Sequence, residues 1–194
     1  MGLFDIITGK RKMKAPAESR LFAMSTAAVT LEMSLELRSS GKAAIVFQPL
    51  ATADFGSIVS DMEEVLRGTG EDTGTGVEKT DDSFGYRWMV LSDDDFEDLV
   101  VGINVVSQAL QDGGYGERIL CAVFAFRDAQ DQPVYWIYNY KRGSFYPFVP
   151  ASGSEQRDNE HELRLKAELG QGSQPAPALE EGKPADQQTQ GGQP

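Results

Sequence analysis

The sequence is poor in the residues that most metal and nucleophile chemistry needs. It has one cysteine and one histidine in 194 residues. A single thiol, Cys121, excludes an internal disulfide and a cysteine-rich zinc site. It falls in the apolar run Ile119–Phe126, where a thiol is inert packing and suits a reducing cytoplasm. The lone His161 excludes a histidine-rich metal site and sits among charges, where a solvated histidine is expected. A Ser-His or Cys-His pair would require this one residue to reach a nucleophile on the core. No Gly-x-Ser-x-Gly, His-Glu-x-x-His or phosphate-loop motif occurs. Long apolar runs are missing too: none reaches the ~20 residues of a spanning helix. The first basic cluster follows the apolar start instead of preceding it, the reverse of a secretory signal. These absences predict a soluble, cytoplasmic protein that is no enzyme and uses no cofactor or metal.

Positive charge is also scarce. Lys and Arg number 18 against 30 Asp and Glu, for a formal charge of −12. That sign repels phosphate backbones and argues against nucleic-acid binding. It also fits adaptation to a salty cytoplasm. The charge is uneven. Residues 1–20 hold Lys10, Arg11, Lys12, Lys14 and Arg20 against Asp5 and Glu18, a net +3, which leaves −15 for the remainder. Leu3, Phe4, Ile6 and Ile7 precede the basic run, the pattern of an amphipathic interfacial anchor. Leu3, Phe4, Ile7, Lys10, Arg11, Lys12 and Lys14 are therefore candidates for contact with an anionic membrane surface at its inner face. The bland alternative is a terminus whose apolar residues dock on the protein itself.

Apolar periodicity divides the rest. Residues 25–37 read both as a strand (Val29, Leu31, Met33, Leu35, Leu37) and as a helix; Leu, Met, Glu and Ala favour the helix, ending near Gly41. A strand is expected over 42–49, and a helix over 54–66 capped by Asp54 or Thr52. The Gly-rich stretch 68–76 reads as a flexible loop, and its acidic pair speaks against a phosphate site. Strands follow over 77–82 and 84–91. The best-marked helix spans 94–111, opened by a Ser92–Asp95 capping box and ended by Gly113 and Gly114. The three aspartates 93–95 suit the positive end of its dipole better than a metal. A hairpin of 119–126 and 134–141 comes next. Both its strands are apolar on both faces, which implies either cover on each side or a sheet with an exposed apolar face. A polar helix is expected over 157–169. The Gln-, Gly- and Pro-rich residues 170–194 have too little apolar surface to fold. The expected architecture is one α+β domain at 21–169, a mostly antiparallel sheet of four to five strands packed against helices. The amphipathic residues 1–20 precede it and a disordered tail follows.

The segment Val134–Pro150 concentrates four of the 6 tyrosines and one of the 2 tryptophans. Most of these rings are expected in the core. Asn139, Lys141, Arg142 and Tyr146, at the strand's exit, are the candidate partner-binding residues: cations framed by aromatic rings suit an acidic group. A strand end closed by a glycine turn, with its charges solvated, is the competing explanation.

Several segments together resemble a known family: MGLFDIITGK, AAVTLEMSLELRSSG, GYRWMVLSDDDFEDLV, YNYKRGSFYPFVP and RDNEHELRL. The chain is similar, up to about Leu169, to the PspA-associated protein B family, PspAB. The resemblance implies an accessory role beside PspA, a membrane-associated envelope-stress protein, and it brings no established catalytic activity with it. Two other roles remain open: a peripheral membrane protein held by the N-terminal segment, and a peptide-binding module like a secretion chaperone.

Overall fold

The computed structural model describes residues 21–151 and 156–171. The amphipathic segment, with candidates Leu3, Phe4, Ile7, Lys10, Arg11, Lys12 and Lys14, lies outside the described residues, as does the tail from 172 onward.

The elements run α1 (Ala23–Leu35), β1 (Arg38–Phe47), α2 (Ala53–Thr73), β2 (Gly76–Asp81), β3 (Arg87–Ser92), α3 (Phe96–Asp112), β4 (Ile119–Arg127), β5 (Pro133–Asn139), β6 (Ser144–Phe148) and α4 (Asn159–Gln171). All six strands form one antiparallel sheet in the order β2-β3-β1-β4-β5-β6. This is the expected α+β fold with one strand more than foreseen. The extra strand is β6. Pro147 and Pro150 make it look like an irregular exit, but an edge strand tolerates a residue without an N–H.

The side chains of a strand alternate between the two faces, so one face can be built on a core and the other left outside. Ala43, Ile45, Phe47, Met89, Leu91, Ala122, Phe124, Phe126, Val134, Trp136 and Tyr138 form the inner face. The central helix α3 lies on it through Leu99, Val100, Ile103, Val106 and Leu110, none of them exposed. Its stripe at i, i+3, i+4 and i+7 is why this helix is so plain in the sequence. Gly102 belongs to the same contact, since a Cβ there would meet the Leu91 side chain at 2.6 Å.

α1 settles the ambiguity of residues 25–37. It is a helix with Met24 and Leu31 buried while Val29 and Met33 are 57% and 81% exposed. The alternating apolar pattern arises because this helix is apolar on its solvent side as well. It ends at Leu35, not near Gly41, because Glu36 takes a left-handed conformation (φ 52°) and closes it.

α2 corrects the expected loop. Residues 68–73 continue the helix, and Gly74 caps it with φ 92° and its N–H on the Gly70 carbonyl. Gly70 is required there: a Cβ would lie 2.2 Å from the Thr75 carbonyl oxygen. Glycine thus serves this helix's closing turn instead of breaking it. At the other end Thr52 Oγ1 accepts from Phe55 N–H at 3.4 Å, choosing between the two caps proposed. The foreseen Ser92–Asp95 box resolves differently as well. Ser92 is the last residue of β3, and Asp95 is the cap, its Oδ1 accepting from Glu97 N–H at 2.8 Å. Gly170 and Gln171 extend α4, where the tail was expected to have begun.

Candidate functional site

The strand registers place the outward side chains in three rows across the sheet. One row is Thr80, Trp88, Val46, Cys121, Asn139 and Ser144. The next is Glu78, Val90, Ala44, Val123, Ile137 and Tyr146. The third is Ser92, Lys42, Ala125, Tyr135 and Phe148. From β3 to β6 these rows are largely apolar. At ~4.8 Å between strands and ~3.3 Å per residue they cover ~19 Å by ~13 Å. The buried side chains of all four helices join the inner cluster, and none of these outward residues does. Among the described residues, then, the sheet has one face built into the helix-covered cluster and a second apolar face beyond it, on which Ala44 and Val46 are buried by their neighbours and Trp88, Val90, Val123, Tyr135, Ile137, Tyr146 and Phe148 are half-buried.

Tyr146 stands on this outer face, opposite Ile137. Burial pushes its phenol above the ordinary range. Phe148 packs against Tyr135, with ring centroids 6.2 Å apart, and carries the Arg157 guanidinium 5.2 Å above its ring. Glu162 fixes that guanidinium by two bonds, 3.0 Å from Nε and 2.6 Å from the terminal nitrogen, and raises the Arg157 pKa. Glu162 is itself only 5% exposed and also accepts from Val149 N–H at 3.0 Å. The strand exit at β6 is therefore locked to α4.

The other predicted residues divide. Asn139 uses its side-chain oxygen on the turn, accepting from Arg142 N–H at 2.9 Å, while its carbonyl accepts from Gly143 N–H. Gly143 has φ 62°, the left-handed value this tight turn needs. Lys141 and Arg142 are exposed at the tip. Tyr138 and Tyr140 point inward, Tyr138 fully buried, with rings 5.0 Å apart edge to face. Only Tyr135 and Tyr146 of the segment's tyrosines face outward. Cys121 lies in the outer rows, but desolvation pushes its thiol up to about 11, so it is protonated and unreactive at neutral pH. His161 sits on α4, where its N–H bonds the helix-capping Asp158 at 2.9 Å. Among the described residues no group of three or more His, Cys, Asp or Glu could hold a metal ion, and no helix is long and apolar enough to cross a membrane.

At the β2–β3 end Asp82 orients the face. Its carboxylate accepts from Phe84 and Tyr86 N–H, each at 2.9 Å, and from the Trp88 indole N–H at 2.9 Å. The indole bond, then the backbone bond from Tyr86, hold its pKa below the usual carboxylate range. A carboxyl depressed in the folded state stabilises the fold above its unfolded pKa of ~3.9, and that contribution vanishes as pH falls through the folded value. The Asp82→Asn variant should therefore melt lower than wild type at pH 7, with the gap closing toward pH 3. Thermal melts across that range would check it, and a constant gap would refute the assignment.

A family model for PspA associated protein B matches residues 1–175. The chain belongs to that family. Its members take their name from PspA, and this PspAB chain is thereby associated with a PspA system. No curated protein and no solved structure matches it.

Sequence reasoning located Tyr146 but missed most of the PspAB outer face, including Trp88, Val46, Val123, Ile137, Tyr135 and Phe148. Each strand's two-sided apolar pattern carried the signal. Which residues share a row is set by register, which pairs segments far apart in the chain.

Proposed function

We propose that this PspAB protein is a non-catalytic accessory partner of PspA in an envelope-stress system, and that it binds PspA through the outer sheet face. One observation carries the reading: the apolar and aromatic rows from Trp88 to Tyr146 lie outside the core that all four helices share. Rigid aromatic side chains on a sheet offer large contact area at low entropic penalty, the usual composition of binding hot spots. The locked β6 exit keeps Tyr146 and Phe148 in place before a partner arrives, which lowers the ordering entropy of association.

The test is capture of purified PspA by the full-length protein and by Ile137→Asp and Tyr146→Ala variants. Both positions are only partly buried and lie outside the core, so both variants should fold, as circular dichroism would report. Each should bind PspA at least tenfold more weakly, the size of effect expected when a central interface residue is truncated or charged. Unchanged capture by both folded variants would remove the outer face from the interaction.

A further inference from the structure

β1 contains a bulge whose effect is electrostatic. Arg38 pairs with Arg127 and Ser39 with Phe126, but the next pair is Lys42 with Ala125. Ser40 and Gly41 are inserted between them. The Gly41 φ of 68° and the Ser40 Oγ bond to the Ala125 carbonyl at 3.0 Å hold the insertion. The Gly41 carbonyl accepts from Asp93 N–H, and a Cβ on Gly41 would press on the Asp93 carbonyl oxygen at 3.1 Å.

The insertion compresses the strand. Arg38 and Lys42 are four residues apart in sequence but face partners only two apart, ~7 Å along the sheet. Arg127 stands directly across from Arg38. Three exposed cations thus gather at one end of the apolar rows, in a chain whose formal charge is −12. Like charges directly opposite on neighbouring strands are unfavourable. Among the described residues only Arg127 of the three has a carboxylate within reach, Asp131 at 3.4 Å, which is 82% exposed. Bulges recur beside functional sites, where they re-aim side chains.

From this geometry we infer that the partner element is an amphipathic helix with acidic residues along the flanks of its apolar stripe. The inference rests on the outer face being the binding surface. A helix is ~10 Å wide and fits the ~13 Å depth of the three rows; ~13 residues of it span the ~19 Å from β3 to β6. Lying along the rows, it sets one flank against Arg38, Lys42 and Arg127 and the other toward Lys141 at the β5–β6 tip. A planar anionic membrane fits less well. It would also meet acidic groups of the same sheet, Glu78 in the second row, Asp82 on the Trp88 indole and Asp128 in the β4–β5 turn.

The probes are two synthetic 14-residue helical peptides with the same leucine stripe, one flanked by glutamates and one by lysines. Fluorescence anisotropy against the full chain should find the acidic peptide bound at least tenfold tighter, although the protein's overall charge favours the basic one. The Arg38→Glu/Lys42→Glu double variant should lose that binding tenfold, and Arg38→Lys/Lys42→Arg should retain it. Equal binding of the two peptides, tighter binding of the basic one, or indifference to the charge-reversing variant would overturn the inference. So would flotation with phosphatidylglycerol vesicles that the charge-reversing variant abolishes while neither peptide binds. PspA capture separates this inference from the broader reading. Capture lost in Ile137→Asp but kept in the charge-reversing variant refutes the acidic helix alone. Capture unaffected by Ile137→Asp refutes both.

Discussion

Phe124→Ala should destabilise the fold by about 3–5 kcal/mol, the range for removing a fully buried phenylalanine from a core that closes only partly over the cavity. Phe124 has no exposed surface. It lies beneath α3 against Phe96, with ring centroids 5.7 Å apart, and reaches Phe145 on β6 at 6.5 Å. In the sheet it stands between Ala43 on β1 and Trp136 on β5. It therefore joins the central helix, both middle strands and the β6 edge. For a domain of this size the loss corresponds to a melting temperature lower by about 6–20 °C. Denaturant unfolding followed by circular dichroism would measure it. The milder Phe124→Leu should retain most of the stability, so the position can be read even if the alanine variant does not fold. A loss below about 1 kcal/mol for the alanine variant would contradict the central place given to this ring.

Glu162→Ala should lower stability by about 2–3 kcal/mol. The change removes the acceptor of Val149 N–H, and a buried donor left unpaired loses ~1–3 kcal/mol. It also frees Arg157, whose own side chain is 46% exposed, so the ion pair adds less than a fully buried one would. Glu162→Gln keeps an acceptor for Val149 and should lose about half as much. Amide exchange gives a local reading. The Val149 N–H should exchange at least tenfold faster in Glu162→Ala while amides of α3 such as Ile103 stay protected. Unchanged protection at Val149 would show that another group holds the β6 exit. The same variant should weaken PspA capture, because Arg157 no longer sits over Phe148 at the margin of the outer face.

Periodicity made some of this fold legible. α3 could be read because its stripe is clean and Gly113 and Gly114 follow it, although its cap is Asp95 and not the expected Ser92. β3, β4 and β5 showed as apolar runs bounded by turn residues. Where reading failed, one residue type served an unusual end. Glycine normally punctuates, yet Gly68 and Gly70 belong to α2, whose closing turn needs an absent Cβ. Proline normally excludes a strand, yet Pro147 sits in one because β6 is at the edge. Gly41 looked like a helix terminator and is the pivot of the β1 bulge. The candidate site was legible only at its end. Tyr146 and the cations after Asn139 stood out by composition. The cluster of Arg38, Lys42 and Arg127 did not, because Arg38 and Lys42 lie 89 and 85 residues before Arg127 in sequence and meet it only through a bulged register.

The two borders of the sheet limit how the protein can associate. Pro147 has no N–H to offer beyond β6, and past it Pro150 already bridges back to Arg157. The other border, β2, carries Glu78, Lys79 and Asp81, with Lys79 tied to Glu63 of α2 at 2.5 Å and Asp81 to Arg87 at 2.6 Å. Charged and proline-bearing rims of this kind discourage strand addition. A partner that extended the sheet by β-augmentation would meet a poor template on either side. The same rims disfavour self-association into open-ended ribbons by strand pairing.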